Sequence, residues 1–481
     1  MSIERKHSGG AKAGQAALSV SAFRDRQRWP SRLWGILLVV CVVAALPAQA
    51  QQKDVLMNEA GKAWVRSDYP EAAYYYGKAL AHDSVDVFCA FRLAESLRLD
   101  NRYAEAFQVY HHLTTLAEAS SQHPEAWFYL AMMSKQRGDY DRFCELINAF
   151  IAISDESDYK VKAYHEAELC REGWMLPLDS AQVRINHLGR TINTPYSEFG
   201  AFQLNDSLLF FSALRPLSAS DFQSFAGLDY KSTIYASEIK VSGYREGEEI
   251  SSKINRKNTH NANLSIDAEG RRAFYSRCDD IAGGRMECNI MVAGYEKGKF
   301  RKGEKLAGRV NLEGYSNTQP HFVKFGDVGV LYFVSNRPGG FGEMDIWYSV
   351  ENSGVFTEPV NCGSIVNSRG NEVTPFYDSV RQKLFFSSDW HHGYGGYDVF
   401  SAKGGFASWE ELTNLGMPVN SPANDYYYSV NPGDSNGYFT SNRQGSLHLR
   451  GETCCNDVYA YEWEPEVIRE LPPDLPEPVS G

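Results

Sequence analysis

Two stretches, SNRPGGFGEMDIW from Ser335 to Trp347 and SDWHHGYGGYDVF from Ser388 to Phe400, align at their serines. Asn336 stands over Asp389, Gly340 over Gly393, Gly342 over Gly395 and Asp345 over Asp398. Glycine-rich loops with acids and two adjacent histidines, His391 and His392, suggest catalysis or metal binding. The alternative is the turn of a repeated structural unit, and the neighbouring sequence decides between them. A further copy, looser in spacing, runs from Ser441 and Asn442 to Asp457. A catalytic centre is needed once, whereas a repeat architecture needs one turn per unit.

The surrounding unit recurs five times between about Pro177 and Glu464. Each copy opens on a polar acid or amide: Glu198, Asn261, Asn317, Glu372 and Asp425, spaced by 63, 56, 55 and 53 residues. An aromatic strand follows (LLFFS, AFYS, LYFVS, LFFSS, GYFTS), then a turn, then a second strand (TIYAS, NIMVA, DIWYS, DVFSA, DVYAY). Such runs bounded by Gly, Asn, Ser and Asp are strand and turn composition. Each unit is long enough for four strands, and four-stranded sheets bury both faces by stacking radially. The expected fold is a five-bladed β-propeller over residues 177–464, with the strand near Val183–Ile185 closing the ring. Six blades stay open if Gly294–Leu312 or Pro216–Lys231 forms extra strands. In the turns, glycine is expected to supply positive φ and aspartate to accept backbone N–H groups.

Residues 51–176 read differently. Ala60, Ala94 and Ala131 are 34 and 37 residues apart, and Tyr69, Tyr103 and Tyr140 repeat that spacing. Ala72, Ala106 and Phe143 follow the tyrosines by three. Small residues at helix contacts with aromatics between pairs, at a period near 34, predict three tetratricopeptide-like repeats, with a last helix near Lys160–Gly173. The fold class is thus α plus all-β, multidomain.

The chain carries a formal charge of −12. Its first fifty residues hold seven Lys/Arg and two Asp/Glu, a net of +5, so a chain starting at Gln51 would carry −12 − 5 = −17. That excludes a nucleic-acid binder, which needs a basic surface. Basic residues, the apolar run LWGILLVVCVVAALP and AQA ending at Ala50 predict a signal peptide over 1–50, cleaved near Ala50. No later stretch is apolar enough for a membrane span. Without Cys41, eight cysteines remain. Cys278 and Cys288 flank a hairpin-like loop and are the expected disulfide. Adjacent Cys454 and Cys455 are a poor zinc pattern.

The combination of repeats, propeller and the motifs SNRPGGFGEMDIW, VNSPANDYYYSV and TCCNDVYAYEW resembles envelope proteins of the PorE type, components of the type IX secretion system. The resemblance covers about Val55 to Trp463. It implies a periplasmic, outer-membrane-associated scaffold whose partners are other envelope proteins of the machinery. Members typically continue into an OmpA-like, peptidoglycan-binding domain. Here a proline-rich tail, 465–481, stands in that place, so peptidoglycan contact does not carry over.

No Walker loop, G-x-S-x-G elbow or H-E-x-x-H is present. SIDAEGRR, from Ser265 to Arg272, partly resembles a sialidase Asp-box but lacks its tryptophan. His391 and His392 fit a solvated turn better than a metal site. The sequence-based expectation is a non-enzymatic protein-interaction scaffold of the secretion or gliding machinery, with no catalytic, cofactor or metal residues. The alternative is a carbohydrate- or small-ligand-binding or processing propeller.

Overall fold

The computed structural model describes residues 51–116, 118–172, 183–216, 230–281, 285–431 and 435–463. The expected signal peptide, the proline-rich tail and most of the Pro216–Lys231 insert lie outside these residues. Among the described residues no helix is long and apolar enough to cross a membrane.

Helices come first: α1 (residues 51–65), α2 (Tyr69–His82), α3 (Val87–Leu99), α4 (Tyr103–Thr114), the short α5 (Ala119–Gln122), α6 (Glu125–Lys135), α7 (Tyr140–Ile153) and α8 (Asp158–Glu172). The repeat register explains the pairing. Ala60, Ala94 and Ala131 are fully buried, as are Ala72, Ala106 and Phe143, so paired helices approach closely. Caps repeat as well. The carboxylates of Asp68, Asp86 and Asp139 accept the N–H groups of Glu71, Cys89 and Arg142, satisfying donors that a helix start leaves unpaired. A disulfide between Cys144 and Cys170 ties α7 to α8.

Five antiparallel sheets follow. The first runs Ser197–Asn205, Leu208–Pro216, Tyr230–Lys240 and a short outer edge. The next three begin at His260, Asn317 and Glu372. The fifth comprises Asp425–Val430, Asn436–Ser441 and Asp457–Trp463, and Val183–His187 pairs with Asp457–Trp463 as its outermost strand. The ring is therefore closed by joining its beginning to its end. Residues 299–300 and 304–305 form the outer edge of blade 2, not a further blade.

Three devices recur in each blade. An asparagine in the linker leaving a blade binds both the N–H and the carbonyl of one residue on that blade's third strand. The pairs are Asn255 with Ile234, Asn311 with Ile290, Asn367 with Ile346, Asn420 with Val399 and Asn193 with Val458, at 2.7–3.1 Å. The amide mimics one rung of a ladder, so the N–H and the carbonyl of that residue are both paired. The opening acid or amide, at most 1% exposed in every blade, ties that linker to the end of the second strand. Asn317 takes Ser335 Oγ and Arg337; Asp425 takes the Ser421 N–H and Arg443; Glu198 takes the Thr194 N–H and Arg215. The third device is a register shift inside every first strand, between Phe199 and Phe202, Ala262 and Ser265, Thr318 and His321, Val373 and Phe376, and Tyr426 and Ser429.

Candidate functional site: the funnel and the helical seat

The five shifts place one residue each in the left-handed region: Gly200, Asn263, Gln319, Thr374 and Tyr427, with φ between 51° and 62°. Each stands two places after its opening acid or amide. Together they form the floor of a funnel of about 520 Å³ lined by the innermost strands of all five blades. The floor is knitted across the ring. The Thr374 N–H donates to Gln319 Oε1 (2.7 Å), Gln319 Nε2 to the Tyr427 hydroxyl (3.3 Å), and the Tyr427 N–H to Thr374 Oγ1 (3.2 Å). Gly200 leaves room for the Tyr427 ring, whose Cδ1 lies 3.3 Å from where a Cβ would stand. Asn263 Oδ1, buried at this floor, finds no donor among the described residues. The opening residues were legible in the sequence; the floor residues were missed, because alternation gives no sign of a bulge. A fixed offset of two from each opening residue is the signal that could have found them.

Above the floor the walls carry Phe202, Phe322, Phe376 and His321, with Gln203 and Asn431 among them. His321 lies against Phe376 at 4.6 Å, and burial lowers its pKa to about 4, so the ring is neutral. The two carboxylates of the lining are committed to their own turns. Asp267 accepts the N–H groups of Arg271 and Arg272 and pairs with the Arg272 side chain. Asp378 accepts from Val380 and Arg381 and pairs with the Arg381 side chain. The Asp-box-like stretch is thus a β-turn at the funnel mouth. Glycoside hydrolysis asks for two placed carboxyl groups, and neither of these faces the other across the funnel unpaired. Burial pushes Glu198, Glu372 and Asp398 up to about 7. All three lie at the opposite end of the blades, where they hold strands and turns.

That opposite end is where the helices sit, and it explains the two opening stretches. In blade 3, Asp345 accepts the N–H groups of Phe341 (2.6 Å) and Gly342 (3.1 Å). In blade 4, Asp398 accepts those of Tyr394 and Gly395. In blade 5, Asp457 accepts from Leu447 and His187. Asn336, Asp389 and Asn442 each accept the N–H just before the next strand opens, from Ser316, Asn371 and Asn424. Ser388 donates to Glu372 (2.7 Å), and Ser441 accepts from Arg443. One expectation is corrected. Gly340, Gly342, Gly393 and Gly395 do not have positive φ. A Cβ at Gly340 or Gly393 would strike the aspartate carboxylate, and one at Gly342 or Gly395 the linker carbonyls of the next blade. The requirement is close approach, not handedness.

The blade 3 loop leaves Phe341 half exposed, whereas the blade 4 and 5 loops seat the helical array. Tyr140 donates to the Tyr394 carbonyl (3.1 Å) and Lys162 to the Asp389 carbonyl (2.9 Å). His165 Nε2 meets the Trp390 carbonyl at 2.7 Å. Asn424 and Asn442 donate to the Tyr103 hydroxyl at 2.6 and 3.2 Å. Arg450 makes a bidentate pair with Asp100. Nearby, buried Lys135 and half-buried Lys162 both reach Glu166, at 2.7 and 2.8 Å. Burial opposes that carboxylate's charge, but the two ammonium groups outweigh it and hold its pKa at about 2. The histidine pair is not a solvated turn. His391 binds the Val366 carbonyl at 3.0 Å, and His392 Nε2 lies 3.1 Å from His165 Nδ1. Sequence reasoning missed this because their partners lie on distant segments.

Cys278 and Cys288 are disulfide-bonded, directly opposite in register on blade 2. Cys454 and Cys455 form a disulfide with each other. Cys89 and Cys362 are free and buried.

No protein-family model and no curated protein matches the chain. Among solved structures it is similar to the α-L-arabinofuranosidase PaAbf62A from Podospora anserina, in complex with cellotriose. The identity there is 10%, over 59% of this chain and 97% of that one, with a TM-score of 0.38. The GH43 endo-arabinanase from Bacillus licheniformis aligns at 13% identity over 44% and 71%, with a TM-score of 0.29. The Sgt2 tetratricopeptide domain from Aspergillus fumigatus aligns at 19% identity over 27% and 87%, with a TM-score of 0.22. Likenesses this distant carry neither activity nor substrate to this chain. They do correct one expectation: proteins of similar architecture are named as glycosidases, so the fold gives no ground for calling this chain non-enzymatic.

Proposed function

We propose that the propeller binds a neutral, hydroxyl-rich ligand of the carbohydrate class in its funnel. The observation that carries this is the lining itself. Aromatic faces (Phe202, Phe376, His321) stand beside uncharged amides (Gln203, Asn263, Asn431), while the acids of the mouth are neutralised by their own arginines. A concave site with apolar walls and a few fixed polar groups is the general form of a small-ligand site. Sugar rings stack their C–H faces on aromatics and donate hydroxyls to amide oxygens such as Asn263 Oδ1. The test is calorimetric titration with a panel of neutral oligosaccharides and their uronic-acid counterparts, with reducing-end release measured in the same samples. Saturable binding of a neutral member, weakened at least tenfold by Asn263→Ala, supports the reading. Absence of binding across the panel, or binding indifferent to Asn263, refutes it.

A second reading, a partner-binding component of an envelope or secretion assembly in the periplasm, is what the PorE-like sequence pattern implies. One observation favours it: on α1 and α3, Arg92 stacks over Trp64 (4.7 Å) and Phe88 (5.4 Å), and Phe88 is 46% exposed. Tryptophan and arginine dominate binding hot spots. If this reading holds, Trp64→Ala with Phe88→Ala abolishes cross-linking to envelope proteins while leaving the funnel's ligand binding intact. Unchanged cross-linking in the double variant counts against it.

A further inference from the structure

The seam between α8 and blade 4 brings together His165, Glu168 and His392, whose ligand atoms all lie within 4.8 Å of one another. His165 and Glu168 are three residues apart and share a helix face; His392 comes from the blade 4 loop. His392 Nε2 lies 3.1 Å from His165 Nδ1 and 3.5 Å from Glu168 Oε2. Ligands bound at zinc's usual bond lengths around a tetrahedral centre stand about 3.3–3.6 Å apart, so these separations need only small adjustments.

We propose that His165, His392 and Glu168 form a binding site for a divalent transition metal of the zinc class, joining the helical array to the propeller. This revises the sequence-based expectation of no metal ligands. Two features beyond proximity carry it. First, the His165 Nε2–H donates to the Trp390 carbonyl at 2.7 Å, which leaves the lone pair on Nδ1, the atom that faces His392. A ligating histidine almost always has its second nitrogen held in this way. Second, the ring is positioned. It stacks on Trp390 at 5.3 Å and 19°, and Lys162 Nζ lies 4.5 Å from the centre of the Trp390 ring and donates to the Asp389 carbonyl. His391 is not among the residues whose ligand atoms converge here; its Nε2 bonds the Val366 carbonyl. Glu168 is largely exposed, giving the metal an entry from solvent. Three protein ligands leave a coordination position for water or an incoming group. Two imidazoles and one carboxylate suit zinc, nickel or copper and do not suit magnesium or calcium.

The experiment uses the full chain, stripped with chelator, exchanged into zinc, cobalt(II) or magnesium, and analysed for bound metal, melting temperature and the cobalt d–d spectrum. The expected result is one zinc per chain, a raised melting temperature with zinc and not with magnesium, and a four- or five-coordinate cobalt spectrum. Glu168→Gln, at an exposed side chain and therefore harmless to folding, should weaken zinc at least about tenfold. His392→Gln should abolish the melting shift. The proposal is overturned if the folded wild type takes up no zinc. It is equally overturned if Glu168→Gln and His392→Gln bind as tightly as wild type, or if magnesium stabilises as much as zinc does.

Discussion

Tyr103→Phe removes a single oxygen from the seat between helices and propeller. Tyr103 is 2% exposed, and its hydroxyl donates to Asn101 Oδ1 (3.0 Å) while accepting from Asn424 Nδ2 (2.6 Å) and Asn442 Nδ2 (3.2 Å). Without the oxygen, Asn442 Nδ2 keeps the Thr453 carbonyl at 2.8 Å. The buried Asn424 amide loses its acceptor. An orphaned buried donor costs about 1–3 kcal/mol and a lost neutral hydrogen bond about 0.5–1.5 kcal/mol, so the expected destabilisation is about 2–3 kcal/mol. The control is Tyr69→Phe, the same position in the first repeat, whose hydroxyl bonds no propeller group among the described residues; that change should stay within about 0.5 kcal/mol. Urea unfolding of the full chain, followed by far-ultraviolet circular dichroism, gives both values. A double-mutant cycle with Asn424→Ala should return a coupling of at least about 1 kcal/mol, as residues in direct contact do. If Tyr103→Phe costs no more than Tyr69→Phe, the hydroxyl does not hold the seat and the reasoning fails.

Glu372 lacks the arginine that its counterparts have, since Trp390 stands where Arg337 and Arg443 stand in the neighbouring blades. Burial, partly offset by bonds from Ser368 and Ser388, raises its pKa from 4.5 to about 7. The folded chain therefore holds a proton that the unfolded chain releases. The associated stability, about 3 kcal/mol, is full below about pH 4 and is lost as pH rises through 7. Glu372→Gln should flatten that part of a stability–pH profile, and an unchanged slope would count against it. Gly200→Ala adds a side chain at φ 62° against the Tyr427 ring, and should cost about 1–2 kcal/mol from the left-handed conformation alone, read as a melting shift. Removing the Cys144–Cys170 disulfide, which closes a loop of 26 residues, by Cys144→Ala with Cys170→Ala should lower stability by about 3–4 kcal/mol on the loop-entropy model, read from urea unfolding.

The sequence by itself determined the architecture. Ala60, Ala94 and Ala131 at 34 and 37 residues, and five opening residues at 53 to 63, are local patterns repeated, and a repeat specifies its neighbours because each unit buries its face only on the next. The closing strand at Val183–His187 followed from the same counting. The role of the glycine loops was only half legible. Their aspartates can be read as turn acceptors, but Gly342 and Gly395 answer to a linker of the next blade, which no local rule reveals. What tertiary structure alone decided are the meetings of segments far apart in the chain. His165 reaches His392, Tyr103 reaches Asn424, and the five left-handed residues converge on one funnel floor. Helix period and strand alternation are set within a few residues, by backbone sterics and side-chain burial. A seam is set by how two finished surfaces dock, and His392 carries no mark of α8 until the blade has folded beneath it.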